Sequence, residues 1–151
     1  EQASLETLAR RLGMADRATF TGKTPSTEMA AVYASMDVLV LPSRTTATWK
    51  EQFGRVLIEA MASMTAVIGT DSGEIPHVIG DAGLIFPEDD PVALAHLLIA
   101  LARQPSLQQH FAQRGYQRVM THFTQARIAE QTYAIYQQML GHYPRTTTLP
   151  H

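Results

Sequence analysis

Three continuous apolar runs of strand length constrain this chain most. They are residues 37–43 (DVLVLPS), 66–71 (AVIGTD) and 83–87 (GLIFP). Alternating apolar and polar residues would mark a strand with one wet face. Continuous runs mark strands buried on both faces, as in parallel sheets. Between the runs lie segments with helical spacing. Residues 26–36 put Met29, Val32, Tyr33 and Met36 on one face, and residues 53–63 (FGRVLIEAMAS) read as a helix. A further short strand is expected at 18–22 (ATFTG), and 74–79 is at most a short helix. This alternation predicts an α/β fold, a parallel sheet with right-handed crossovers and flanking helices.

Three helices follow the last strand. Asp90 is placed to cap the first, with Pro91 in its first turn and Leu94, Leu97, Leu98 and Leu101 on its inner face. The second runs from Pro105 to about Met120, and Thr124 caps a third that ends near Leu140. Residues 143–151 (YPRTTTLPH) lack periodicity and are expected to be a disordered tail, leaving one domain over 1–142. The chain opens inside an amphipathic helix, with Leu5, Leu8 and Leu12 on one stripe, so it reads as cut from something longer.

Composition narrows the function. The net charge is −2 and the basic residues do not cluster, which argues against a nucleic-acid partner. There is no cysteine, hence no disulfide framework and no thiolate metal site; a cytoplasmic location is expected. The longest apolar stretch, 92–102, is too short to span a bilayer and carries His96. The histidines (His77, His96, His110, His122, His142 and His151) show no metal-ligand spacing. Glu88-Asp89-Asp90 precedes Pro91 and reads as a helix start, not a metal motif. No metal and no cofactor are implied.

In open parallel sheets, ligands sit outside the carboxyl ends of the strands. That rule selects the loops 22–25, 43–52 and 70–74 and the segment after Phe86, which should converge along one edge. The densest chemistry there is residues 49–59 (WKEQFGRVLIE), a loop running straight into a helix. First-turn amides have no intrahelical partner, and with the helix dipole they form an anion site suited to phosphate. Gly54 would let a ligand approach the backbone, and Glu51 could accept bonds from sugar hydroxyls. Glu59 stands between Val56-Leu57-Ile58 and Ala60-Met61-Ala62. It is either a solvated stripe on a buried helix or a carboxylate that needs partners, such as the two donors of a ribose diol.

Residues 51–62 (EQFGRVLIEAMA) resemble the Glu-x7-Glu motif of glycosyltransferase family 4, retaining enzymes with two Rossmann-like domains, the GT-B fold. Phe20-Thr21-Gly22, Leu41-Pro42-Ser43, Asp71-Ser72-Gly73 and Asp81-Ala82-Gly83-Leu84 match that family's order and spacing, so the resemblance covers roughly residues 5–140. It implies the incomplete C-terminal half of a GT-B fold, the donor-binding part of an enzyme moving a sugar from a nucleoside diphosphate sugar (UDP or GDP type) to an acceptor hydroxyl. Glu51, the catalytic candidate, with the backbones of Gln52, Phe53 and Gly54, would hold the donor sugar and nearby phosphate. Arg55 and Val56 would contribute main-chain contacts beside the diphosphate. Glu59 would bind the ribose, Gly22 and Lys23 would lie against the nucleobase, and Ser43 and Ser72 would line the pocket.

The resemblance also implies what this chain lacks: two earlier strands, a Gly-Arg motif and a following Lys that clamp the diphosphate, and the acceptor-binding N-terminal domain. The full enzyme is expected to associate peripherally with a membrane, and the fragment to self-associate and be inactive alone. Met64 stands where the family has a glycine suited to positive φ, so local strain is expected. His77 stands where the family often has Glu. The alternatives are a nucleotide-sugar epimerase on the same fold and a non-catalytic α/β module.

Overall fold

Among the described residues, 38–41, 66–70 and 84–86 are the three places where the backbone finds a partner strand. In the computed structural model, which describes residues 2–142, Val38–Leu41 (β1), Ala66–Thr70 (β2) and Leu84–Phe86 (β3) form a parallel sheet in the order β1-β2-β3. Val38 pairs with Ala66 and Leu41 with Gly69, while Ile68 pairs with Leu84 and Thr70 with Phe86. All three strands therefore end on the same edge. The central strand β2 is buried throughout, whereas β1 and most of β3 are half-buried. The tail expected at 143–151 lies outside the described residues.

The strand expected at 18–22 does not form. A strand is stable only when its N–H and C=O groups are paired. This segment has no ladder beside it, and Phe20 stays exposed.

The helices are Gln2–Arg11 (α1), Met29–Ala34 (α2), Arg55–Ala62 (α3), Ile75–Ile79 (α4), Pro91–Arg103 (α5), Pro105–His122 (α6) and Gln125–His142 (α7), with a 3-10 turn at Ala15–Arg17. Side chains of a strand alternate between faces, and the core divides accordingly. Val67 faces one cluster with Tyr33, Leu57, Ala60, Met61, Ile75, Val78, Ile79 and Val119, from α2, α3, α4 and α6. Ile68 and Phe86 face the other with Leu101, against which Leu94, Leu97 and Phe111 pack. Leu57 and Met61 are fully buried, each contributing about 1.5–3 kcal/mol relative to exposure. The fourth leucine of the expected inner face of α5, Leu98, sits at its exposed margin.

Several end signals act as the sequence suggests. The Asp90 carboxylate accepts the N–H groups of Val92 and Ala93, and Thr124 Oγ1 accepts Arg127 N–H. Met64, just past α3, adopts φ 61°, the conformation that favours glycine. At the two ends of the described residues, apolar side chains stay uncovered. Helix α1 forms, but none of its residues is buried and Leu12 is 62% exposed. On α7, Ile128, Tyr133, Tyr136 and Leu140 are exposed as well.

Candidate functional site

The loops leaving the three strand ends are tied to one another. Thr70 Oγ1 donates to the Ser43 carbonyl at 2.7 Å, and Glu88 N–H donates to Asp71 Oδ1 at 2.8 Å. Thr45 joins all three loops: its N–H and hydroxyl each donate to Glu88 at 2.6 Å, and the hydroxyl meets Ser72 Oγ at 2.9 Å. These bonds, from the Thr45 hydroxyl first and its amide second, hold the Glu88 carboxyl below its ordinary range. Arg44 pairs with Asp89 at 2.7 Å across the same gap. Thus part of the acidic run before α5, read in the sequence only as a helix start, also fastens the loop after β1.

That fastened loop delivers Glu51 to the start of α3. Glu51 Oε1 accepts the Gly54 N–H at 3.0 Å and the Phe53 N–H at 3.4 Å, and Ser43 Oγ donates to Oε2 at 3.2 Å. A carboxylate there is favoured by the helix dipole. The backbone of Glu51 is also held, its carbonyl accepting Glu74 N–H at 3.2 Å. Gly54 itself is buried with φ 69°, and a β-carbon would run into Leu57 at 3.0 Å and Leu41 at 3.4 Å. The positive φ favours glycine there, and the close approach to Leu57 adds to that preference. The amides of Arg55 and Val56 follow, without carbonyl partners four residues back inside the helix.

Glu59 lies one turn into α3. It is not a solvated stripe. Tyr33 hydroxyl donates to Oε2 at 2.8 Å, and Arg55 Nε pairs with Oε1 at 3.1 Å. The Tyr33 side chain belongs to the core, with 3% exposure. Burial first, then the bond to Glu59, push its hydroxyl pKa up to about 12. Tyr33, Arg55 and Glu59 line a cleft of about 410 Å³ with Thr24, Ser26, Met29 and Ala30.

The expected site residues thus line more than one opening. Arg55 and Glu59 share the cleft just described. Glu51 and Gln52 line a second, of about 440 Å³, with Trp49, Lys50, Gly73 and Glu74. Phe53 turns toward a third, of about 490 Å³, with His77, His122 and Phe123. Ser43 touches Glu51, whereas Ser72 is buried against Thr45. Gly22 and Lys23 are exposed and lead into Thr24 at the Glu59 cleft; Val56 is exposed on α3. Tyr33 and Thr45 were missed by sequence reasoning. Tyr33 sat on an apolar face and read as packing, and nothing in the sequence pairs it with a residue 26 positions away.

The sequence matches the family described as glycosyl transferases group 1 over residues 1–118. It is 34% identical over 135 residues to the N-acetyl-alpha-D-glucosaminyl L-malate synthase of Bacillus anthracis, covering 88% of this chain and 34% of that protein. The structure resembles the sucrose-phosphate synthase of Thermosynechococcus elongatus with a TM-score of 0.80 and 30% identity, covering 93% of this chain and 35% of that one. It resembles the C-terminal domain of a group 1 glycosyl transferase (LpcC) from Francisella tularensis with a TM-score of 0.72 and 31% identity, over 82% and 63% of the two chains. The chain spans about a third of the length of the first of these. Its α/β unit is Rossmann-like and corresponds to part of the C-terminal half of the GT-B architecture. The chain belongs to the group 1 glycosyltransferase family.

Proposed function

We propose that this chain is the donor-binding part of a retaining, hexosyltransferase-type glycosyltransferase, which moves a sugar from a UDP- or GDP-type donor to an acceptor hydroxyl. One observation carries the reading: two carboxylates, Glu51 and Glu59, are held by hydrogen bonds on the same short helix unit, one at its N-terminus and one in an open cleft. The cleft combines hydroxyls (Thr24, Ser26), an apolar wall (Met29, Ala30) and the Glu59 carboxylate, a combination that suits a nucleoside. The ribose diol would donate to Glu59, and Gly22 and Lys23 would border the base.

The diphosphate would lie toward the first turn of α3, beside the backbone of Gly54, Arg55 and Val56. As the glycosidic bond breaks, negative charge grows on the departing diphosphate. Fixed amide dipoles aimed at that charge stabilise it without reorganising. Glu51 would meet the donor sugar, with Gln52 and Phe53 beside it. Catalysis on this account is electrostatic, and no side chain of this chain attacks the sugar. The acceptor would be presented by a separate N-terminal domain, so the 151-residue chain alone would transfer nothing, and without the Gly-Arg and Lys cations of the family it would bind the donor diphosphate weakly. We place the reaction in the cytoplasm, with peripheral membrane association of the full enzyme. Among the described residues no helix is long and apolar enough to cross a membrane.

The test is an NMR titration of the chain with UDP, GDP, UMP, GMP and free hexose. The diphosphates should shift amides at Thr24, Tyr33 and residues 54–59 at lower concentration than the monophosphates do. Equal responses to all ligands would refute the donor-binding reading.

A further inference from the structure

Glu59 has four acceptor positions, two on each carboxylate oxygen. The structure fills one of them: Tyr33 hydroxyl donates to Oε2 at 2.8 Å, while Arg55 Nε forms an ion pair with Oε1 at 3.1 Å. At least one acceptor position therefore remains on each oxygen, and the Glu59 side chain is 38% exposed where it lines the cleft. Two acceptors separated by a carboxylate's width match the two O–H donors of a vicinal cis-diol.

The two holders differ in rigidity. Arg55 is long, and its side chain is 83% exposed, so its charge is screened by solvent. Tyr33 is fixed. Its ring is packed with Leu57, Ala60 and Met61, and its carbonyl accepts Thr65 Oγ1 at 2.6 Å, which ties α2 to the residue after Met64. A ring anchored this way has one place for its hydroxyl, and that place sets the rotation of the Glu59 carboxylate.

We propose that Tyr33 is a positioning residue that orients Glu59 to recognise a vicinal diol, so that the cleft selects ribonucleotides over 2′-deoxyribonucleotides. The inference rests on the reading of Glu59 as the ribose contact. Tyr33 touches no substrate. Without Tyr33, the flexible Glu59 side chain would turn toward Arg55 and solvent, and one of the two sugar hydroxyls would lose its acceptor.

The experiment compares the 151-residue chain with its Tyr33→Phe and Glu59→Gln variants, titrated by NMR with UDP against 2′-deoxy-UDP and with GDP against 2′-deoxy-GDP. Tyr33→Phe keeps the ring in the core and the carbonyl bond to Thr65; a thermal melt confirms that it folds. The unaltered chain should prefer the ribonucleotide of the pair it binds by about tenfold, the size of one charge-assisted hydrogen bond. Tyr33→Phe should cut that preference to about threefold or less, with the affinity for the deoxynucleotide nearly unchanged. A purely structural role would weaken both ligands alike and would overturn the proposal. Should Glu59→Gln abolish the preference while Tyr33→Phe retains it, the role of Tyr33 fails and the ribose reading survives. A preference untouched by either substitution, or absent from the unaltered chain, sinks both.

Discussion

Gly73 lies so close to Glu51 that a β-carbon on it would meet the Glu51 carbonyl oxygen at 1.9 Å. Gly73 also has φ 58°, so the position excludes a side chain twice over. The loop after β2 and the loop before α3 are in backbone contact there, and that contact sets where the Glu51 carboxylate stands. Gly73→Ala should therefore cost about 2 kcal/mol or more, combining backbone strain with a forced separation of the loops. Denaturant melts measure the cost. A change within about 0.5 kcal/mol, the range of an ordinary surface substitution, would mean the loops are slack.

Met64 presents the opposite case. It occupies a left-handed conformation with a side chain 49% exposed, so it contributes little burial in return for its strain. Left-handed backbone costs a residue with a side chain about 1–2 kcal/mol, and glycine loses about 0.5–1 kcal/mol of that advantage through its freer unfolded chain. Met64→Gly should stabilise the chain by about 0.5–1 kcal/mol, read from the midpoint of urea unfolding. Destabilisation would show that the Met64 side chain packs more than its exposure indicates.

Tyr33 gives a pH signature. Its hydroxyl pKa is raised from the ordinary 10 to about 12 in the folded chain. Between these values the folded state keeps a proton that the unfolded state has lost. Stability contributed by this group is therefore complete below pH 10 and declines as pH rises toward 12, with a slope of up to about 1.4 kcal/mol per pH unit. Tyr33→Phe should flatten this part of the profile relative to the parent. Parallel profiles for the two proteins would contradict the assignment.

Much of this architecture was legible because the relevant signals are local. The runs around Val38, Val67 and Leu84 are continuous and apolar, and each became a strand. Asp90-Pro91 and Thr124 announce helix starts through chemistry confined to three residues. The segment around Phe20 failed because pairing depends on a neighbour, which local pattern does not reveal. The Leu5-Leu8-Leu12 stripe gave a correct helix and no burial, since periodicity says which residues share a face and not what covers it. In the site, Glu51 and Glu59 stood out by spacing and resemblance. Their holders were less legible: Tyr33 reads as packing until folding places its hydroxyl 2.8 Å from Glu59, and Ser43, expected only to line the pocket, donates to Glu51 at 3.2 Å.

The uncovered ends carry their own expectation. Leu5 and Leu8 on α1, Leu12 just past its end, and Ile128, Tyr133, Tyr136 and Leu140 on α7 are all exposed, and β1 has a strand on one side only among the described residues. Large apolar patches and open strand edges recruit partners. The isolated chain should self-associate, with an apparent mass that rises with concentration in light scattering. A constant monomer mass across a hundredfold dilution series, roughly the span needed to expose a micromolar equilibrium, would show that these faces are inert.

The account stands on Glu51 and Glu59 serving one ligand from two openings. A crystal structure of the chain grown with UDP or GDP tests that most directly. The ribose hydroxyls should lie about 2.7 Å from the free positions of Glu59, with Tyr33 still donating to Oε2, and phosphate oxygens about 2.9 Å from the first-turn amides of α3. A nucleotide bound elsewhere, with the Glu59 cleft unchanged, would contradict it.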